Sequence, residues 1–175
     1  EEVFVMADNQ STFIRNEIKY MLDDGQYRAF REAIAPYTKA DAYARYSICN
    51  LYFDTDQFAL VRQSMEKPVY KEKLRLRSYG VPDAEDTVFL ELKKKFKKEV
   101  FKRRVSMPLR ELEAYLGQGV PPNVSAQVLR EIEYFRQLYP VRPMVYIAYD
   151  RVALQGVEDE SLRITFDENL RFRRK

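Results

Sequence analysis

The sequence contains no histidine and a single cysteine among its 175 residues. The lack of histidine removes the usual general base and the usual ligand of transition metals. One cysteine cannot form an intramolecular disulfide or a thiolate metal site. Because Cys49 lies in the apolar run 46–53, we expect a buried structural thiol rather than a nucleophile. Any bound metal would then need carboxylate ligands, which favour hard cations such as Mg²⁺, Mn²⁺ or Ca²⁺.

Long apolar runs are absent as well. No segment is long enough to span a membrane, and no signal peptide is visible, so we expect a soluble, cytoplasmic protein. With 46% apolar and 14% aromatic residues, the chain can build the core of one domain. The net charge of +3 is too small to indicate nucleic-acid binding by itself. The basic residues are clustered, however, and local clustering decides which partners a surface attracts.

The clearest cluster is the segment 70–79, which reads Tyr-Lys-Glu-Lys-Leu-Arg-Leu-Arg-Ser-Tyr. In an extended strand, side chains two residues apart point to the same face. One face of the strand therefore carries Lys71, Lys73, Arg75 and Arg77, and the other face is mainly apolar. Such a row of like charges is tolerated where water solvates it or where an anion neutralises it.

The other elements follow from alternation and from helix boundary signals. Strands are predicted at 13–20, 47–54, 68–79, 87–95, 99–107, 144–154 and 162–168, with a basic end at 171–175. Helices are predicted at 25–35, 108–116 and 125–139. A further short helix is predicted to follow a cap at 54–56 and to end at about residue 65. Strands in adjacent, hairpin-like order predict an α+β fold with a mainly antiparallel sheet and flanking helices.

Cations recur on the polar faces of these strands. For any single strand, alternation predicts only a half-buried sheet with a wet outer side. Taken together the cations disfavour that interpretation, because like charges opposite one another on neighbouring strands are destabilising. The cations are Arg15, Lys19, Lys71, Lys73, Arg75, Arg77, Lys93, Lys95, Lys102, Arg104, Arg151 and Arg163, with the carboxylates Glu17, Glu91 and Asp167 among them. Closing the sheet into a barrel with these faces inward would make a tunnel for a polyanion.

Six motifs in order resemble one known family. They are 15–20, 51–54, 71–77, 91–93, 149–151 and 163–167, and together they extend over nearly the whole chain. They resemble the VTC polyphosphate polymerase domain of the triphosphate tunnel metalloenzyme, or CYTH, superfamily. The wider superfamily has a Glu-x-Glu-x-Lys signature on its first strand, and Arg15 occupies the position of the first Glu. This substitution resembles the polymerase branch of the superfamily. The resemblance implies an antiparallel β-barrel that forms a triphosphate tunnel.

The resemblance also implies roles for single residues. The catalytic cations would be Lys19, Arg75, Arg77, Lys93, Arg151 and Arg163. Further substrate contacts would come from Arg15, Lys71, Lys73, Lys102, Arg104 and Tyr149, with Arg103 as an alternative match on the same strand. Glu17, Glu91 and Asp167 would hold Mn²⁺ or Mg²⁺. The implied partners are a nucleoside triphosphate and inorganic phosphate, pyrophosphate or polyphosphate, but not nucleic acid; the oligomeric state stays open.

One feature of the family is missing from the sequence. The family has a further strand that carries a metal-ligating Glu, followed by a C-terminal helix, and this chain ends at Lys175 before both. We therefore expect a single domain, 1–175, that lacks these elements and whose barrel is incomplete at its C-terminus. Truncation would have the same appearance in the sequence.

Three functions remain open on the sequence alone. The first is transfer of the γ-phosphate of a nucleoside triphosphate to a growing polyphosphate chain. The second is hydrolysis of tripolyphosphate or nucleoside triphosphate, and the third is non-catalytic binding of polyphosphate or inositol phosphates. Nucleic-acid binding is weaker, because base stacking needs aromatics among the cations. The only candidates for that role are Tyr70, Tyr79 and Tyr149, and we expect packing from each.

Overall fold

The computed structural model describes residues 18–97 and 99–174, which form six strands and four helices. The strands are β1 (Thr38–Asp54), β2 (Tyr70–Tyr79), β3 (Thr87–Phe96), β4 (Glu99–Pro108), β5 (Arg142–Gly156) and β6 (Arg163–Arg174). The helices are α1 (Asp24–Ile34), α2 (Ala59–Met65), α3 (Leu109–Gln118) and α4 (Ala126–Leu138), with a 3₁₀ turn at Ala35–Tyr37. None of the described helices is long and apolar enough to cross a lipid bilayer.

The strands form one six-stranded sheet in the order β4-β3-β2-β1-β5-β6, and every neighbouring pair is antiparallel. The predicted α+β class, with an antiparallel sheet and flanking helices, is confirmed. Over residues 18–97 and 99–174 the sheet is open, with β4 at one edge and β6 at the other, rather than closed into a barrel.

One face of the sheet carries the helices and the main core. Leu74, Leu90 and Val105 alternate with charged residues on β2, β3 and β4, so they all point to this face. They pack in one cluster with apolar side chains of α3 and α4, including Leu112 and Phe135. Burial of each such side chain stabilises the fold by about 1.5–3 kcal/mol. We call this the helix-bearing face.

Helix α1 begins as the sequence predicted and packs at the β6 end of the sheet. The Asp23 carboxylate accepts a hydrogen bond from the Gln26 backbone N–H at 2.8 Å, and the Gln26 side chain accepts one from the Asp23 N–H at 3.0 Å. This reciprocal capping box fixes the helix start. Tyr27 and Phe30 then meet Phe166 of β6 edge to face, at centroid distances of 5.0 and 6.1 Å.

The two largest departures from the predicted strand bounds are in β1 and β6. Strand β1 begins at Thr38 rather than Ser47, because a register shift near the left-handed Ala44 lets the alanine-rich stretch before it stay in the sheet. The Asp41 carboxylate supports this irregularity by accepting backbone hydrogen bonds from Tyr43 and Ala44, both at 3.0 Å. Strand β6 continues to Arg174, so the predicted basic end is a strand paired with β5.

The predicted first strand, 13–20, is wrong where the structure describes it. Residues 18–20 lie in neither a helix nor a strand, and Ile18 and Tyr20 are strongly exposed instead of buried against a sheet. Residues 13–17 lie outside the described residues. The prediction for Cys49 is confirmed, since the thiol is buried and its Sγ accepts a hydrogen bond from the Tyr146 hydroxyl at 3.0 Å.

Candidate functional site

The strand register places most of the predicted cations on the face opposite the helix-bearing face. In an antiparallel pair, residues directly opposite each other point to the same side. Arg75 lies opposite Glu91, which lies opposite Arg104; Lys73 lies opposite Lys93, which lies opposite Lys102. We call this side the cationic face. Its members among the predicted site residues are Lys71, Lys73, Arg75, Arg77, Glu91, Lys93, Lys102, Arg104, Tyr149, Arg151, Arg163 and Asp167.

Three arginines converge on one carboxylate near the middle of this face. The Arg75 guanidinium donates to Glu91 Oε2 from Nε at 2.7 Å, and its Nη2 lies 2.6 Å from the same oxygen. Arg104 Nε donates to Glu91 Oε1 at 3.1 Å, and Arg77 Nε lies 3.9 Å from Oε2. We call these four residues the arginine cluster. One carboxylate cannot neutralise three guanidinium groups, so the cluster stays positive and attracts anions.

Two side chains of the neighbouring strand β1, on the same face, orient two of these guanidinium groups. Arg75 Nη1 donates to the Tyr52 hydroxyl at 3.2 Å, and Arg77 Nε donates to Asn50 Oδ1 at 3.2 Å. Asn50 is buried and donates in turn to the Ile147 carbonyl of β5 at 3.4 Å. These bonds fix the planes of the guanidinium forks, whose remaining N–H groups suit bidentate binding of phosphate oxygens.

Burial and charge act in opposite directions on the arginine cluster. The side chains of Arg75, Arg77 and Glu91 are only 22%, 14% and 15% exposed. Burial alone would raise the pKa of Glu91, but the surrounding guanidinium groups outweigh it and hold that pKa below its usual value. Burial disfavours the charged form of Arg75 as well, yet Glu91 and Tyr52 raise its pKa. Glu91 and Arg75 are therefore both ionised at neutral pH.

Five lysines lie beside the arginine cluster on the same three strands. Lys71 lies opposite Lys95, and Lys73 lies opposite Lys93, which adjoins Lys102 on β4. We call Lys71, Lys73, Lys93, Lys95 and Lys102 the lysine patch. Like charges directly opposite each other destabilise a sheet, so an anion lying across the patch would relieve that repulsion.

Two further predicted arginines, Arg151 and Arg163, lie on the far half of the sheet. Arg151 of β5 makes a bidentate ion pair with Asp167 of β6, from Nε to Oδ1 at 2.7 Å and from Nη2 to Oδ2 at 2.8 Å. Its guanidinium also lies 5.4 Å from the centre of the Tyr149 ring. Arg163 Nη2 pairs with Asp41 Oδ2 at 3.0 Å. Arg151 and Arg163 share the cationic face with the arginine cluster but contact separate carboxylates.

The predicted metal carboxylates do not converge in the part of the chain that the structure describes. Glu91 and Asp167 are both held by arginines. They lie on β3 and β6, four strand spacings apart in the sheet order, or about 19 Å along the sheet. No group of three acidic or cysteine side chains among residues 18–97 and 99–174 could hold a metal ion. Glu17, the third predicted ligand, lies outside the described residues.

Two predicted site residues near the start of the chain are not part of the described sheet. Lys19 is described but lies outside any helix or strand, and Arg15 lies outside the described residues. The ambiguity on β4 is resolved by alternation: Arg104 joins the cationic face, whereas Arg103 points to the helix-bearing face and donates to Glu131 Oε1 of α4 at 3.1 Å.

Sequence reasoning missed three polar residues that support the site. Tyr52 and Asn50 orient the guanidinium forks of Arg75 and Arg77, and Asp41 pairs with Arg163. Tyr52 and Asn50 occupy alternate positions of a predicted strand, so the period-2 pattern could have placed them on the cationic face once the register was known. Asp41 lies in the stretch before Ser47 that carried no strand signal.

Comparison with known proteins identifies the family. A model of the VTC domain matches residues 14–175. The chain belongs to the VTC domain family. It is 26% identical over 153 residues to vacuolar transporter chaperone complex subunit 4 of Trypanosoma brucei brucei, an alignment that covers 71% of this chain and 19% of that protein. The protein of the same name from Trypanosoma cruzi is 24% identical over 174 residues, covering 83% of this chain and 21% of the relative.

These relatives are much longer than the chain. The VTC domain described here spans about a fifth of the length of the two trypanosome proteins it matches. Among solved structures, a proposed adenylate cyclase from Bacillus halodurans superposes with a TM-score of 0.55 at 14% identity, over 86% of this chain and 73% of that one. At that identity the likeness concerns the fold alone, and it agrees with the predicted antiparallel sheet with flanking helices.

Proposed function

We propose that this VTC domain is a phosphotransferase that lengthens inorganic polyphosphate with the γ-phosphate of a nucleoside triphosphate. The main support for the proposal is that the arginine cluster and the lysine patch follow each other without interruption along the sheet. Along β2 the cations run from Lys71 to Arg77 on one side, six residues or about 20 Å of extended strand. A face of that length fits an elongated polyanion better than a single phosphate.

The proposed transfer requires positioning and charge neutralisation rather than a protein nucleophile. A terminal oxygen of the acceptor phosphate attacks the γ-phosphorus and forms a new P–O bond. The bond from that phosphorus to the β,γ-bridging oxygen breaks, and the nucleoside diphosphate leaves with the electron pair. Arg75, Arg77 and Arg104 would neutralise charge on the transferring group. The acceptor is already anionic, so the absence of histidine from the chain is no obstacle.

The described carboxylates do not by themselves form a site for the predicted Mn²⁺ or Mg²⁺. Glu91 and Asp167 are engaged by arginines and do not form a carboxylate set together in the described part of the chain. The residues described here would bind and orient phosphates.

A product analysis tests the proposal. The protein is incubated with ATP labelled at the γ-phosphate and a short polyphosphate primer, in buffers with Mn²⁺ or with Mg²⁺, and the products are separated on a gel. Labelled chains longer than the primer are expected. Labelled orthophosphate alone would instead support hydrolysis in the same site, and the polymerase proposal would fail.

A second candidate is a non-catalytic binder of polyphosphate or inositol phosphates. The observation that favours it is the ion pairing of Glu91 and Asp167, since a binding site needs no carboxylate to hold a metal. A binder should retain labelled polyphosphate on the cationic face and release neither orthophosphate nor longer chains with any divalent metal. Loss of binding on replacement of Arg75 would then locate the site without any turnover.

A further inference from the structure

Four aromatic rings form a continuous row on the cationic face, at the end of the arginine cluster away from the lysine patch. Phe89 of β3 meets Tyr79 of β2 at 5.7 Å between ring centres, and Tyr79 meets Tyr46 of β1 at 5.6 Å. Tyr43 continues the row at 6.2 Å from Tyr46. All three contacts are edge to face, the geometry that favours aromatic pairs. We call these four residues the aromatic row.

The aromatic row adjoins the arginine cluster directly. Tyr79 is two residues beyond Arg77 on β2, so alternation points both side chains to the same face. Phe89 lies opposite Arg77, and the Arg104 guanidinium lies 4.0 Å from the centre of the Phe89 ring. Along β2 the order is therefore lysine, arginine, then aromatic.

Packing within the sheet accounts for only part of the aromatic row. Phe89 is buried, as expected of a side chain that supports its neighbours. Tyr79 and Tyr43 are 45% and 49% exposed. Tyr79 thus places an exposed ring next to the buried guanidinium of Arg77, and Tyr43 extends the row of exposed rings away from it.

We propose that the aromatic row binds the base of the nucleoside triphosphate, with Tyr79 as the main stacking residue. This inference rests on the proposed function and gives the substrate a direction. The base lies at the aromatic row, the triphosphate lies on the arginine cluster, and the polyphosphate acceptor lies on the lysine patch. Because every base has a π face, stacking on tyrosine tolerates different bases. The inference therefore assigns selectivity for nucleotides over inorganic tripolyphosphate, with weak selectivity among bases.

Calorimetric titration with two ligands tests this assignment. One ligand is a non-hydrolysable ATP analogue with nitrogen at the β,γ-bridge, and the other is inorganic tripolyphosphate, both at one fixed Mg²⁺ concentration. The proteins are the wild type, Tyr79→Ala, Tyr79→Phe and Tyr43→Ala. Tyr134→Ala is the matched control, because Tyr134 is a 61% exposed tyrosine on α4.

We expect Tyr79→Ala to weaken binding of the ATP analogue about 5- to 100-fold, the range of one base-stacking contact. Its affinity for tripolyphosphate should change less than about twofold. Tyr79→Phe keeps the ring and should bind like the wild type, and Tyr43→Ala should show a smaller loss for the ATP analogue alone. Because Tyr43 lies at the outer end of the aromatic row, its loss also tests the inference if Tyr79→Ala disturbs folding.

Several outcomes would overturn the inference. Equal losses for both ligands in Tyr79→Ala would mean that Tyr79 supports the arginine cluster rather than a base. Unchanged affinity for the ATP analogue in both alanine variants would remove the base site, while chain elongation by the wild type would leave the polymerase proposal standing. A wild type that binds neither ligand would overturn both proposals together.

Discussion

The arginine cluster and the lysine patch occupy the same face and the same three strands, yet their charges are arranged in opposite ways. In the arginine cluster, Glu91 lies between Arg75 and Arg104 across the strands and bonds to both. In the lysine patch, the corresponding cross-strand neighbours are cations, with Lys73 opposite Lys93. The arginine cluster has a carboxylate between two of its guanidinium groups, whereas the lysine patch has like charges directly opposite each other.

For the proposed function, this difference predicts two roles in binding a polyanion. Guanidinium forks fixed by Glu91, Tyr52 and Asn50 lose little freedom when phosphate binds, which suits the reacting end of a substrate. Lysines are compact point charges on flexible stems, so they suit a chain that must slide as it grows. The comparison predicts large, geometry-dependent effects at the arginines and small, salt-dependent effects at the lysines.

The largest effect is expected from Arg75→Ala. It removes a guanidinium held by Glu91 and Tyr52 and should lower the rate of chain elongation by about a hundredfold or more, the loss found when one fixed donor to a reacting group is removed. The rate is measured from label transferred out of γ-labelled ATP. Arg75→Lys keeps the charge but not the fork, so recovery of less than a tenth of the wild-type rate is expected. Full recovery by lysine would show that charge alone matters in the arginine cluster.

The next effect is expected from Glu91→Gln. Replacing the carboxylate leaves three guanidinium groups close together, so the free energy of unfolding should fall by about 2 kcal/mol. Elongation should also slow, because Arg75 and Arg104 lose the group that positions them. Denaturant unfolding and the labelled-ATP assay measure the two effects. Unchanged stability would mean that the arginine cluster does not depend on Glu91.

The same variant gives a pH signature with a definite sign. Burial raises the pKa of Glu91, but the guanidinium groups lower it by more, so its net shift in the folded protein is downward. A depressed carboxylate pKa contributes stability above the unfolded-state pKa of about 4.3, and that contribution is lost as pH falls through the folded value. The stability difference between wild type and Glu91→Gln should therefore be constant near neutral pH and shrink below about pH 4. A difference that grows on acidification would contradict the assigned ion pairs.

Lys73→Gln is expected to have two small effects of opposite sign, a gain in stability and a loss of affinity for polyphosphate. Removing one of the opposed lysines should raise the melting temperature of the anion-free protein slightly, since such repulsion is worth about 0.2–1 kcal/mol. Affinity for polyphosphate should fall a few-fold, more at low than at high salt. Arg28→Gln, which removes an exposed charge on α1, is the control. A hundredfold loss in Lys73→Gln would erase the distinction between the lysine patch and the arginine cluster.

The smallest effect is expected from Arg103→Gln. Arg103 is next to Arg104 in sequence but pairs with Glu131 on the helix-bearing face. Elongation should stay within about twofold of wild type, with a stability loss of about 1 kcal/mol or less. Arg104→Gln, which breaks a bond to Glu91, should lower the elongation rate at least tenfold. Equal effects of the two substitutions would mean that the face assignment does not govern function.

The sequence was sufficient for the faces of the strands but not for their partners. Alternation placed Lys71 to Arg77 on one side, because a period of two is a local property of the backbone. It could not reveal that Glu91 would lie between Arg75 and Arg104, since cross-strand register depends on the whole sheet. The family resemblance implied a metal-ligand role for Glu91, which stays a prediction, and only the structure reveals its ion pairs with Arg75 and Arg104.

The predicted boundaries of β1 and β6 were wrong for a related reason. The stretch 38–46 has little apolar alternation and stays in the sheet through pairing with β5 and a register shift near Ala44. Residues 171–174 read as a charged tail but also pair with β5. In both places hydrogen bonding to β5 determines the structure, and the local sequence pattern does not predict that pairing. The aromatic row was hidden in the same way, since its rings come from three different strands.

The most direct test of the central claim is a crystal structure of the protein with bound tripolyphosphate. We expect phosphate oxygens within about 3 Å of the Arg75 and Arg77 guanidinium groups, on the side of the sheet opposite α3 and α4, with the chain directed towards Lys73. An anion bound on the helix-bearing face, or at the edge of β6 without contact to Arg75 or Arg77, would contradict the claim.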